Sequence, residues 1–169
     1  MSNPLFETRE AEFSPCKKYR YRLRQIWDPE LPLMCFLMLN PSTADEVKND
    51  PTVERCERRA RATTGVGGLE VINIFAYCAT DPEEMKAQPD PVGPDNDKHI
   101  LEAATKAQMV ICAWGKHGQH MNRGRQVAEM LAKSGIEMYC LKVNCDGFPA
   151  HPLYIGYDVK PQCYIYREE

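Results

Sequence analysis

A chain of 169 residues, 43% hydrophobic and 27% charged with a formal net charge of −3, has the size and composition of one globular domain. No run approaches the roughly 20 apolar residues of a bilayer span, and the opening MSNPLFETRE lacks the basic-then-apolar pattern of a secretory leader. The expectation is a cytoplasmic protein with no membrane partner, whose slight acidity leaves nucleic-acid binding to be decided by local basic clusters.

Residues 1–18, with Pro4 and Pro15 amid mixed charge, read as an irregular arm, leaving a core of about 19–166 within a single domain. Tyr19 to Arg24 alternates with period two, which predicts a half-buried strand near a sheet edge, its arginine row solvated. The run Leu33-Met34-Cys35-Phe36-Leu37-Met38-Leu39, bounded by Pro32 and by Asn40-Pro41, reads as a strand buried on both faces. Pro41 has no N–H for the ladder, so the chain turns at Asn40.

Asp50-Pro51 is a cap-and-proline helix start, for a helix ending near Thr64 with its arginines mostly solvated. Leu69 to Tyr77 is a second buried strand, with Asn73 set into an apolar run. Asp81-Pro82 opens a short helix, and Asn96 to Ala107 forms another. Met109 to Trp114 is a third strand, stopping at Gly115-Lys116-His117. A helix over about Arg123 to Lys133 precedes a fourth strand, Glu137 to Val143, and an irregular segment reaches His151-Pro152-Leu153. Gln162 to Tyr166 adds an edge strand. Alternation of strand and helix predicts an α/β fold: three layers, with a mostly parallel central sheet of about four strands flanked by helices.

Of the eight cysteines most sit inside apolar runs, and Cys35, Cys78, Cys112 and Cys140 read as buried small hydrophobes; with no C-x-x-C, neither a metal nor a disulfide framework is expected. His117 and His120 stand three apart but have no acidic or cysteine partner nearby in sequence, so no metal is expected.

The polar residues at the strand ends resemble, in type and order, motifs of the uracil-DNA glycosylase superfamily. Leu39-Asn40-Pro41-Ser42 is similar to its first motif, Asn73 to the strand asparagine that reads a flipped base, Trp114-Gly115 to a Trp-Gly strand end, and His151-Pro152-Leu153 to a shortened second motif. The chain is also similar to an uncharacterised bacterial and phage family with Leu-Asn-Pro-Ser and a downstream Asn-Asp-Pro-Thr. The superfamily resemblance implies a monofunctional glycosylase that excises a pyrimidine, uracil or a modified phage-type base, in repair or antiviral defence.

On that resemblance Asn40 and His151 are catalytic: Asn40 holds the water and His151 donates to the leaving base. Asp45 is a second candidate base. Asn73, Leu39 and Phe75 bind the base, with Tyr77 as an alternative stacking ring. Ser42, Thr43, Lys116, His117 and Pro152 meet the backbone phosphates, and Leu153 and Tyr154 wedge into the gap left by the flipped nucleotide. The expected partner is double- or single-stranded DNA, met by a monomer without cofactor. The alternative is a non-catalytic nucleic-acid or nucleotide-binding module on the same fold. A serine hydrolase is disfavoured because no serine lies in a Gly-x-Ser-x-Gly turn.

Overall fold

The computed structural model describes residues 7–166. Its strands are β1 (Thr8–Phe13), β2 (Arg20–Ile26), β3 (Leu33–Met38), β4 (Gly68–Asn73), β5 (Met109–Cys112), β6 (Met138–Cys140) and β7 (Gln162–Cys163). The helices are α1 (Pro51–Arg61), α2 (Pro82–Lys86), α3 (Asn96–Lys106) and α4 (Arg123–Lys133). All strands join one seven-stranded sheet in the order β1-β2-β4-β3-β5-β6-β7.

Its centre is the parallel block β4-β3-β5-β6, and β1, β2 and β7 pair antiparallel at its margins. The expectation of about four mostly parallel strands therefore describes the centre alone; the whole sheet is mixed and larger. Part of the difference lies in the expected irregular arm, where Thr8–Phe13 is instead a strand paired with β2, while residues 1–6 lie outside the described part. Its alternation is too short and too charged to read locally, because the partner supplies the hydrogen bonds.

β2 departs from expectation in a second way. It lies next to the edge strand β1, as its alternation predicts, but the side chains of Arg20 and Arg22, expected to be solvated, are buried. The Arg22 guanidinium reaches the buried Glu70 carboxylate at 2.6 Å, and this non-local charge pair makes its burial tolerable.

Two cores flank the sheet. On one face, Phe36, Met38, Val71 and Ile111 pack against Val53, Cys56 and Ala60 of α1. On the other, Leu37, Ile72, Val110 and Cys112 pack against Ile100 of α3 and Val127 and Leu131 of α4. The start of α1 follows the expected device: Asp50 caps it, accepting the Val53 N–H at 2.8 Å, and Pro51 opens the first turn. All eight cysteines are free. Among the described residues, no helix is long and apolar enough to cross a membrane.

The parallel block also places the site. The chain passes from β3 to β4 on one side and then crosses to β5 on the other, so strand order reverses beside β3. In open α/β sheets the crevice outside the carboxyl ends of strands at such a point is where ligands bind.

Candidate functional site

That crevice is present. A cleft of about 420 Å3 opens at the ends of β3, β4 and β5, lined among others by Leu39, Asn40, Ser42, Asn73, Lys116, His117 and His151. Residues more than 100 positions apart in sequence are thus brought together by topology alone. A wider groove of about 940 Å3 lies beyond Trp114, where Phe148, Tyr164 and Tyr166 share the lining with Gln119, Asn122, Arg125 and Asp146. The first cleft is the one that gathers Asn40, Asn73 and His151.

Asn73 is the last residue of β4 and is 1% exposed, yet neither its amide nitrogen nor its amide oxygen has a hydrogen-bond partner. Leaving such a group unmatched costs about 1–3 kcal/mol. The strand end around it is braced from behind. Asn96 Nδ2 donates to the Asn73 and Ile74 carbonyls at 2.9 and 3.2 Å, and Arg123 Nε donates to the Ile74 carbonyl at 2.7 Å. Asp97 in turn receives the Arg123 guanidinium. None of these braces was foreseen, because backbone carbonyls leave no mark in the sequence.

Asn40 is oriented by a different route. Its Nδ2 donates to the Ala79 carbonyl at 2.8 Å and to the Pro41 carbonyl at 3.1 Å. Among the described residues no group donates to its amide oxygen, which is open to accept a hydrogen bond.

His151 closes the cleft from the segment after β6. Its Nδ1 accepts the Leu153 backbone N–H at 3.3 Å, which puts the ring proton on Nε2 and makes that nitrogen a donor. The ring keeps solvent contact, but crowding over the cleft desolvates it and lowers its pKa, opposed by the negative charge of Asp50.

Asp50 itself is the residue sequence reasoning placed only as a helix cap. It lines the cleft, and only one of its carboxylate oxygens is used by the cap. Asp45, the expected alternative base, instead accepts the Val47 and Lys48 amides in its own loop and takes no part in the lining. Arg20 is a further unforeseen member, a residue only 2% exposed that lines the cleft.

The remaining expected residues divide. Ser42, Lys116 and His117 line the cleft, and Lys116 and His117 continue with Lys86, Gln119 and His120 into an adjoining groove of about 380 Å3. His117 Nδ1 lies 2.9 Å from Lys86 Nζ; desolvation first, then the charges of Lys86 and Lys116, lower its pKa. Thr43 is exposed outside the lining. Phe75 is fully buried in the core with its ring centroid 5.7 Å from that of His120, so it is not among the residues the cleft offers a base. The ring that does line it is Trp114. Pro152, Leu153 and Tyr154 form a 3-10 turn directly after His151; Pro152 is buried, while Tyr154 projects at 92% exposure. No three His, Cys, Asp or Glu side chains gather as a metal site among the described residues.

The span that builds this cleft also carries the match to known proteins. The chain belongs to the family described as Protein of unknown function (DUF1643), matched over residues 20–153. The matched span starts at Arg20 and takes in Asn40, Asp50, Asn73, Lys116, His117 and His151. No curated protein and no solved structure matches the chain. Nothing in these comparisons links this family to the uracil-DNA glycosylase superfamily, so that resemblance stands on the strand-end motifs alone.

Proposed function

We propose that the protein is a DNA glycosylase that flips a pyrimidine, uracil or a modified base, into the strand-end cleft and hydrolyses its N-glycosidic bond. The observation that carries this reading is the unmatched Asn73 amide in the same cleft as Asn40 and His151. One donor and one acceptor side by side suit a nucleobase edge, and turning the amide over switches between the uracil and cytosine patterns.

The other groups fit the charge changes of the reaction. As the bond from C1′ to the base breaks, positive charge grows on the sugar and negative charge on the base. The Nε2–H of His151 donates to the base anion. The Asn40 amide oxygen positions the attacking water, whose proton passes to the Asp50 carboxylate; the departing base is then protonated from solvent. The basic groove of Lys86 and Lys116 suits the phosphates on either side, so binding should weaken steeply with salt.

The test is incubation with DNA carrying uracil, mismatched pyrimidines or modified phage pyrimidines, followed by alkaline cleavage at abasic sites. Abasic sites that vanish in His151→Ala and Asn40→Ala support the reading; no abasic site with any substrate removes it. The amide at Asn40, where a carboxylate would activate water directly, favours one alternative, a non-catalytic nucleotide-binding module. Salt-dependent DNA binding without base release would select it.

A further inference from the structure

The deepest charged group in the cleft is not explained by base excision. Arg20 is 2% exposed and lines the cleft beside Asn40, Asp50 and Asn73. One arm of its guanidinium, Nη1, donates to the Ala44 carbonyl at 2.6 Å and so anchors the loop after β3. Its Nε has no partner, and among the described residues no carboxylate comes within ion-pair distance of it. Two other buried arginines have carboxylate partners, Glu70 for Arg22 and Asp97 for Arg123, while the buried Arg59 is held by three backbone carbonyls and lies outside the cleft.

A buried cation without a contacting anion is costly, and a guanidinium is a fork shaped for two acceptor oxygens. Burial depresses the pKa of Arg20, while Cys78 and Asp50 act through space to restore it. The Arg20 Nε–H and the Asn73 Nδ2–H groups are buried donors without a partner among the described residues, and both side chains line the same cleft.

We propose that the cleft contains an anion subsite, built on Arg20 with Asn73, for a carboxylate or phosphate carried by the molecule that enters it. If the glycosylase reading holds, on which only the identity of the carrier rests, the substrate is a nucleotide bearing negative charge deep in the cleft. That charge comes from an acidic substituent on the base or from the nucleotide's own phosphate. Asp50 is the one carboxylate in the lining, and it opposes such an anion electrostatically.

Binding of inorganic phosphate to the full-length protein, read by calorimetry and by the shift in melting temperature, tests the subsite without any catalytic assay. Arg20→Met should weaken phosphate binding by about ten-fold or more, and Arg20→Lys should retain part of it. Asp50→Asn keeps the helix cap while removing the opposing charge, so it should tighten phosphate binding several-fold. It also serves if Arg20→Met fails to fold. Equal phosphate affinity in wild type, Arg20→Met and Asp50→Asn would overturn the proposal, as would no phosphate binding at all.

Deoxyuridine, deoxyuridine 5′-monophosphate and 5-carboxydeoxyuridine then separate the sources. Preference for either anionic form supports the subsite and names its carrier; equal binding of all three overturns it. Phosphate binding that depends on Arg20 without abasic-site formation would leave the subsite standing and remove the glycosylase reading. Abasic-site formation with no Arg20 dependence of anion binding would do the reverse.

Discussion

The Leu153 backbone N–H donates to Nδ1 of His151, two residues earlier, at 3.3 Å. This contact sets the tautomer of a ring that stands over the cleft, leaving Nε2–H as its free donor. Protonating the ring turns Nδ1 into a second donor and breaks the contact.

The pH dependence follows from the sign of the shift. Desolvation lowers the His151 pKa in the folded protein, so the folded state holds its proton less tightly than the unfolded chain. The stabilising share of His151 is fully present above the unfolded value of about 6.5 and is lost as pH falls toward the lower folded value. Urea denaturation at neutral and mildly acidic pH should show this loss, reduced in His151→Gln. An NMR titration should place the ring below the ordinary histidine value, and lower still in Asp50→Asn, because Asp50 opposes the shift. In the glycosylase reading, His151→Gln should also reduce excision by about 100-fold.

Asn40 is held as an amide by its surroundings. Its Nδ2 faces the carbonyls of Pro41 and Ala79, and an aspartate there would set a carboxylate oxygen against two acceptors. Asn40→Asp is therefore expected to lose about 1–3 kcal/mol of stability, measured by urea denaturation, and not to act as a simple gain of a catalytic base. A variant as stable as wild type and faster in excision would show that the amide is a compromise.

These outcomes bear on what could be read from the chain directly. The parallel centre was legible because its signals are local: unbroken apolar runs for β3 and β5, an apolar run interrupted by Glu70 for β4, and Asp-Pro pairs for the starts of α1 and α2. So was the gathering of Asn40, Asn73 and His151, since each ends or follows a strand whose carboxyl end faces the same way. What stayed hidden was decided across the fold. Arg22 is buried because of Glu70, 48 positions away, and Arg20 anchors to the Ala44 carbonyl, a backbone atom that no side-chain pattern reports. Asp50 was hidden by its own legibility, since the cap explains the residue fully until topology places it in the cleft.

The arginines of α1 hold the His151 segment in place. Arg59, expected to be solvated, is buried and donates to the Ile155, Gly156 and Val159 carbonyls at 2.8, 2.7 and 3.2 Å. Arg55 reaches the Ile155 carbonyl at 2.6 Å, and its guanidinium lies 4.5 Å from the centre of the Tyr157 ring. Arg59→Lys keeps the charge but cannot serve three carbonyls with one ammonium in that geometry. It should cost about 2 kcal/mol and speed hydrogen exchange across residues 152–160 while leaving β3 and β4 protected. Uniform loss of protection would mean that Arg59 supports the whole core instead.

Tyr154 provides the sharpest test of how DNA would meet the cleft. It is 92% exposed at the 3-10 turn directly after His151, where a large aromatic ring gains nothing from packing. Replacing it with alanine should leave stability within about 0.5 kcal/mol of wild type, because there is little burial to lose. If the ring fills the space of a flipped nucleotide, the same variant should lose excision on duplex DNA more than on single strands, since a single strand has no opposite base stack to hold open. The two rates are compared on one oligonucleotide, free and annealed. A loss equal on both forms would make Tyr154 a general contact surface, and no loss on either would remove it from the DNA interface.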